Sequence, residues 1–348
     1  MGLTVTSRLA WAGSQTNTRG MAACLVMSVT MVACGLTTGP SAAPPETAAP
    51  PATALATPSP ASPGSAAEIC AGPDSAAIDL PRVAREYLTA WNEHDTGVRL
   101  RILEDIWAEE ATYIDAPGLA SRPISDRVAM SDHIGRNQGP AGSWFEPRAW
   151  FESYAHHGLL LMPWRHCAPD GTPGTLGTDY AELDSSGRIV LAVGFAPLTP
   201  DGSGIHEHPT AACAGPDAFA WSAVPRIIGQ YAAAWNTPAG PARDAIVDEI
   251  ASDGSTYVNS FDERPSVGRA EIKSLIDYGM VAGNYIELTA WGDADHHDGW
   301  FHARWRDCTD DGEVFLEGTE ILNVGRDGNL ARITSFWNQY IECVAAAC

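Results

Sequence analysis

Asp115 is the residue best suited to chemistry in this chain of 348 residues. It follows Tyr113 by two positions, so in an extended segment the two side chains share a face. A carboxylate held among Tyr and Trp side chains loses water, and its pKa rises towards that of a useful general base. Such a base and one hydrogen-bond donor are enough to move a proton next to a carbonyl. His156 and the adjacent His157 are candidates for that donor or for a second base. The rival reading is a solvated Asp at a strand end and a His pair at a sheet edge.

Other clusters carry less. The run Asp293-Ala294-Asp295-His296-His297-Asp298 offers carboxylates and imidazoles to a divalent cation. Runs of this kind more often form an exposed turn between strands, and that reading is preferred. His206-Glu207-His208 has no third ligand nearby and reads as a solvated linker. The chain contains no G-x-S-x-G elbow, no phosphate-binding Gly loop and no dinucleotide fingerprint. Hydrolase and nucleotide-dependent chemistries are poorly supported, and neither a cofactor nor a metal is expected.

The elements that must position Asp115 are written twice. Cys70-Ala71-Gly72-Pro73-Asp74 recurs as Cys213-Ala214-Gly215-Pro216-Asp217. Pro81-Arg82, Tyr87 and Ala90-Trp91-Asn92 recur as Pro225-Arg226, Tyr231 and Ala234-Trp235-Asn236. Trp164-Arg165-His166-Cys167 recurs as Trp305-Arg306-Asp307-Cys308. An offset of about 140 residues makes the unit a whole domain rather than a solenoid repeat. Asn259 stands where Asp115 stands, and an amide cannot act as a base near neutrality.

Each repeat opens with helical periodicity. Val83, Tyr87, Leu88 and Trp91 form one apolar stripe, as do Val224, Ile227, Ile228, Tyr231 and Trp235. Further helices are expected over 100–107, 126–134, 242–250 and 269–278. Strand-like segments follow over 150–157, 159–166, 179–183 and 189–195. Helices first and then a meander of strands is an α+β order.

Ala90-Trp91-Asn92-Glu93-His94-Asp95, Trp107, Tyr113-Ile114-Asp115, His156-His157-Gly158, Trp164-Arg165, Gly177-Thr178-Asp179 and Gly194-Phe195 fall in an order that resembles the SnoaL-like branch of the nuclear transport factor 2-like superfamily. The second repeat keeps Trp235-Asn236, Tyr257, Arg269, His296-His297, Trp305-Arg306, Gly318-Thr319-Glu320 and Phe336. The resemblance implies two cone-shaped domains, each a curved antiparallel sheet wrapped on three helices with a pocket in its mouth. It places Trp91, Tyr113, Asp115, His156, Trp164 and Phe195 on or near the first pocket. Asp115 would then be the base, with His156 and Tyr113 polarising a substrate, as in the related ketosteroid isomerases and polyketide cyclases. Trp235, Tyr257, Asn259, His297 and Trp305 would line the second pocket. The expected domains are 68–205 and 212–348. Because this superfamily often dimerises through its sheets, the tandem is expected to form an intramolecular pseudo-dimer.

The start of the chain belongs to neither repeat. Arg8 and Arg19 precede the apolar run Met21–Ala33, which suits a signal-peptide core and is too short to span a bilayer. Met31-Val32-Ala33-Cys34-Gly35 resembles a bacterial lipobox, which would place a lipid on Cys34. The alternative is simple cleavage and a secreted protein. Residues 35–67, rich in Pro, Ala and Thr, cannot bury enough apolar surface to fold and read as a stalk. The expected location is the extracytoplasmic face of the cell membrane, with the lipid as the one membrane contact. A net charge of −22 argues against nucleic acid.

Six cysteines follow Cys34. No CxxC occurs, so disulfides are preferred to a metal site. The duplication suggests Cys70 with Cys167 and Cys213 with Cys308, leaving Cys343 and Cys348 to pair locally. Cys213 could equally pair outside its repeat.

Three functions follow in order of preference. The first is a module that binds a small apolar ligand. The second is a cofactor-free isomerase, dehydratase or cyclase. The third is an envelope spacer whose cones are filled by their own side chains.

Overall fold

A computed structural model describes Cys70 and residues 80–116, 122–148, 152–196, 225–280, 283–289 and 296–337. The signal, stalk and connector, Asp293–Asp295, and Cys34, Cys213, Cys343 and Cys348 lie outside the described residues.

In the first repeat, α1 (Arg82–Asn92) buries Val83, Ala84, Tyr87, Leu88, Ala90 and Trp91 along one stripe. Two aspartates begin the next helices by accepting a backbone N–H three residues on. Asp95 caps α2 (Thr96–Ile106) through Val98 N at 2.9 Å. Asp126 caps α3 (Arg127–Asn137) through Ala129 N at 2.7 Å. Strand β1 (Trp107–Ile114) follows α2 without a loop. The others are β2 (Trp144–Pro147), β3 (Ala155–His156), β4 (Leu159–Cys167), β5 (Pro173–Leu183) and β6 (Ile189–Phe195). The strand expected over 150–157 is instead a 3-10 turn, Glu152–Tyr154, leading into the two residues of β3.

The second repeat follows the same plan. It holds α4 (Arg226–Asn236), α5 (Pro241–Ile250), β7 (Ala251–Val258), β8 (Ser266–Val267), α6 (Gly268–Gly279), β9 (Tyr285–Thr289), β10 (His296–His297), β11 (Trp300–Cys308), β12 (Val314–Val324) and β13 (Leu330–Trp337).

The fold is α+β, with two sheets that each accompany three helices. The first runs β1-β6-β5-β4-β2, with β3 on β4. The second runs β10-β11-β12-β13-β7-β8, with β9 on β11. Neither is wholly antiparallel, which corrects the curved antiparallel sheets that the resemblance implies. β1 pairs in parallel with β6, and β7 with β13. Each of these pairs carries a register shift, between Trp107 and Thr112 and between Leu330 and Arg332, and such bulges bend a strand.

Each sheet packs against its own helices around its own core. Tyr87, Trp91, Trp107 and Ile134 anchor the first, and Tyr231, Ile250, Ile276 and Trp305 the second. A third apolar cluster draws on both sheets, joining Tyr154, Tyr180, Val193 and Phe195 to Val258, Trp300, Ile321 and Phe336. Cys70 and Cys167 form a disulfide across 97 residues. Cys308 is disulfide-bonded as well. Among the described residues no helix is long and apolar enough to cross a membrane.

Candidate functional site

Four elements of the first repeat bring polar side chains together inside its apolar core. Tyr87 and Trp91 lie one turn apart on α1 and face inward with the stripe. Tyr113 lies one residue before the end of β1, and Asp115 follows just past the strand. His133 lies on the buried face of α3, and Asp179 on β5. The Trp91 ring lies 6.3 Å from Tyr113 and 5.9 Å from His133.

Asp115 is buried and accepts from several donors. His133 Nε2 is 2.8 Å from its Oδ2. The Tyr113 hydroxyl and the Ala116 N–H reach its Oδ1 at 3.3 and 2.8 Å. A carboxylate only accepts, so His133 Nε2 carries the proton in this pair. Tyr113 therefore stands beside Asp115, as alternation requires.

Asp179 is a second buried carboxyl in the same place. Its Oδ2 accepts from the Tyr87 hydroxyl at 2.7 Å, while its Oδ1 makes no hydrogen bond of ordinary geometry among the described residues. Burial pushes this carboxyl up to about 7. The Tyr87 hydroxyl and Trp164 indole pull the other way, and the Asp115 charge adds to the rise. Burial, reinforced by these carboxylates, holds the Tyr87 and Tyr113 hydroxyls well above the usual tyrosine range, so both remain donors. The Trp91 indole N–H is buried and makes no hydrogen bond of ordinary geometry among the described residues, though it stands close enough to the Tyr87 hydroxyl to favour its ionised form.

Gly194 on β6 makes this convergence possible. A Cβ there would overlap the Tyr113 hydroxyl and stand 3.1 Å from Asp179 Oδ1 and 3.2 Å from Asp115 Oδ1. The site thus offers two carboxyls in different environments, one imidazole and two phenol donors.

The second repeat fills the same positions differently. Glu320 pairs with Ser335 across β12 and β13, as Asp179 pairs with Gly194 across β5 and β6. Glu320 Oε1 accepts from Tyr231 at 2.8 Å and from Tyr257 at 3.0 Å, and the Ser335 side chain also bonds it. Burial pushes Glu320 up to about 7. Asn259 turns away into its own loop, accepting from Phe261 N and Asp262 N and donating to Asp262. Arg127 and Arg269 each donate to the first carbonyl of the preceding strand, which aligns α3 with α6 and sets Leu275 where His133 stands. The acid and both tyrosines persist, while the Asp–His pair is gone.

The other expected site residues divide between two places. Trp164 packs on Phe145 at the edge of the first core and lies over Gly177. Trp235, Tyr257 and Trp305 belong to the second core. His156, Phe195 and His297 pack where the two repeats meet. His156 packs 4.8 Å from Phe336, and Phe195 packs 5.3 Å from His297. Phe195 follows Gly194 on β6, so strand alternation sends its ring to the opposite face. Burial and the adjacent His157 lower the His156 imidazole to about 4.

Sequence reasoning missed His133, Asp179 and Tyr87 as site residues. The acid kept at Asp179 and Glu320 was the available signal. Among the described residues the one grouping with metal-ligand spacing is Cys70, Glu146 and Cys167, and both of its sulfurs belong to the disulfide.

No protein-family model matches the chain, and no curated protein matches it. Solved structures do. A SnoaL-like family protein from Agrobacterium tumefaciens is 30% identical, over 33% of this chain and 94% of that one, with a TM-score of 0.30. A nuclear transport factor 2-like protein of unknown function from Mesorhizobium loti is 21% identical, over 33% and 88%, with a TM-score of 0.26. A protein with a ketosteroid isomerase-like fold from Catenulispora acidiphila, in complex with trimethylamine, is 14% identical, over 37% and 96%, with a TM-score of 0.29. The identity across nearly the whole Agrobacterium protein makes this chain a member of the SnoaL-like family.

Proposed function

We propose that the first repeat binds a small, mostly apolar molecule that presents one carbonyl or hydroxyl group to Asp115, His133 and Asp179. The observation that carries this reading is one buried polar cluster in which Asp179 Oδ1 makes no hydrogen bond of ordinary geometry among the described residues, while Asp115 and His133 stand beside it. Native interiors rarely leave a buried oxygen without such a bond. A carbonyl would take the Trp91 indole proton, and a hydroxyl would donate to the carboxyl. Thermal unfolding across a panel of steroids, lipids and aromatic ketones tests the reading, since a bound compound raises the melting temperature by mass action.

A second reading has its own support. The 2.8 Å contact between His133 and Asp115, next to a carboxyl raised to about 7, suits proton transfer adjacent to a carbonyl. In that reading Asp115 or Asp179 is the base and Tyr113 polarises the substrate. Asp115→Asn and Asp179→Asn would each lower turnover at least about a hundredfold on any substrate found.

The remaining proposals concern the chain as a whole. Export would be directed by the first 34 residues, with lipid on Cys34 and the stalk holding domains 68–205 and 212–348 off the membrane. The cluster shared by both sheets supports an intramolecular pseudo-dimer. A solution mass well above one chain would contradict it.

A further inference from the structure

His297 belongs to the second repeat, yet its Nε2 lies 2.9 Å from the Gly194 carbonyl of the first. A carbonyl only accepts, so that nitrogen carries the proton. The register of the sheet explains why this carbonyl takes an outside donor. Pairing of β1 with β6 ends at Ile114 and Val193, one residue short of Gly194. Phe195, next along, packs against the rings of both His297 and His302, at 5.3 and 5.4 Å. The second repeat therefore grips β6 at two consecutive residues.

Gly194 is also the residue against which the site is built. The Tyr113 hydroxyl, Asp115 Oδ1 and Asp179 Oδ1 all crowd the position its missing Cβ would take. In the second repeat, pairing of β7 with β13 ends at Val258 and Thr334, one residue short of Ser335. His156 meets the Ser335 backbone through a hydrogen bond that favours its charged form, with its Nε2 outside ordinary hydrogen-bond geometry.

We infer that His297 is a positioning residue for the first repeat's site, holding Gly194 at the spacing that Tyr113, Asp115 and Asp179 require. The inference rests on reading that cluster as the ligand site. It gives the second repeat a role that survives the loss of its own Asp–His pair.

The test is carbon-detected NMR of the Asp179 carboxyl and the His133 ring across a pH titration of the full chain. His297→Phe keeps a ring against Phe195 and removes the donor. It should move the Asp179 midpoint by about half a pH unit or more. His297→Gln, whose amide can donate, should restore it. Arg332→Gln breaks the Arg332–Glu182 ion pair between the same two repeats and should leave the midpoint unmoved. If His297→Phe fails to fold, His297→Leu takes its place. An unmoved midpoint in the donor-less variant, or an equal shift in Arg332→Gln, would overturn the inference. No ligand enters this measurement, so a failed ligand search and a failed tether give different results.

Discussion

His133 Nε2 and Asp115 Oδ2 lie 2.8 Å apart, with side chains 1% and 4% exposed. So buried a pair is costly to break from one side, because the survivor keeps its desolvation without its partner. His133→Leu and Asp115→Asn, the residues of the second repeat, should each destabilise by about 2–4 kcal/mol. The double variant should cost about 1–3 kcal/mol less than the sum of the two. Urea unfolding of all four proteins gives the coupling, and additive costs would mean that the pair does not act as a unit.

Gly194 should tolerate nothing larger. Gly194→Ala puts a methyl into the Tyr113 hydroxyl, and overpacking of this kind costs about 1–3 kcal/mol. Ser335→Gly in the second repeat removes a bond to Glu320 and should cost about 1 kcal/mol. Chemical denaturation compares the two. Only the Gly194 change should move the Tyr113 and His133 resonances.

Stability should fall between about pH 5 and 7. Burial raises Asp179 from 3.8, and Glu320 from 4.5, to about 7 in each case. Both folded values lie above the unfolded ones, so this stabilisation is complete in acid and is lost as pH rises through 7. His156 acts in the opposite sense. Its folded value of about 4 lies below 6.5, so its contribution is present above 6.5 and is lost as pH falls through 4. Burial also raises Asp307, from 3.8 to about 6. Up to that pH three carboxyls oppose one imidazole, a net slope of about 2.7 kcal/mol per pH unit, and just above it two oppose one, about 1.4. Asp179→Asn should flatten the slope, which denaturant midpoints across this range would show.

Much of this was legible in the order of residues. The duplication exposed both halves of the fold, and the pairing of Cys70 with Cys167 followed from it. The adjacency of Tyr113 and Asp115 was legible because two positions on one strand need no tertiary knowledge. His133 was not, because nothing local says which face of α3 meets a loop after β1. Asp179 was visible as an acid kept in both repeats, but its meeting with Asp115 depends on the parallel pairing of β1 with β6. That His156, Phe195 and His297 pack where the two repeats meet was not legible, because a sheet has two faces and the motif alone does not say which one meets the other repeat.

Removing the Cys70–Cys167 bridge should weaken the first repeat more than the second. A closed loop of 97 residues is worth about 4–5 kcal/mol in the chain-entropy model. Cys70→Ala with Cys167→Ala should show it as earlier loss of protection from amide exchange in β1, β4 and β5 than in β11 to β13. Equal loss in both sheets would mean that the repeats unfold as one unit.

The central claim is that the first repeat holds a ligand at Asp115, His133 and Asp179. The most direct measurement is the melting temperature of the wild-type chain and of the Asp115→Asn, His133→Leu double variant across the compound panel. At a hundredfold excess over Kd a true ligand stabilises by about 2.7 kcal/mol. At least one steroid, lipid or aromatic ketone should raise the wild-type melting temperature and leave the double variant unmoved. A panel without effect, or a shift that survives in the double variant, would contradict the claim.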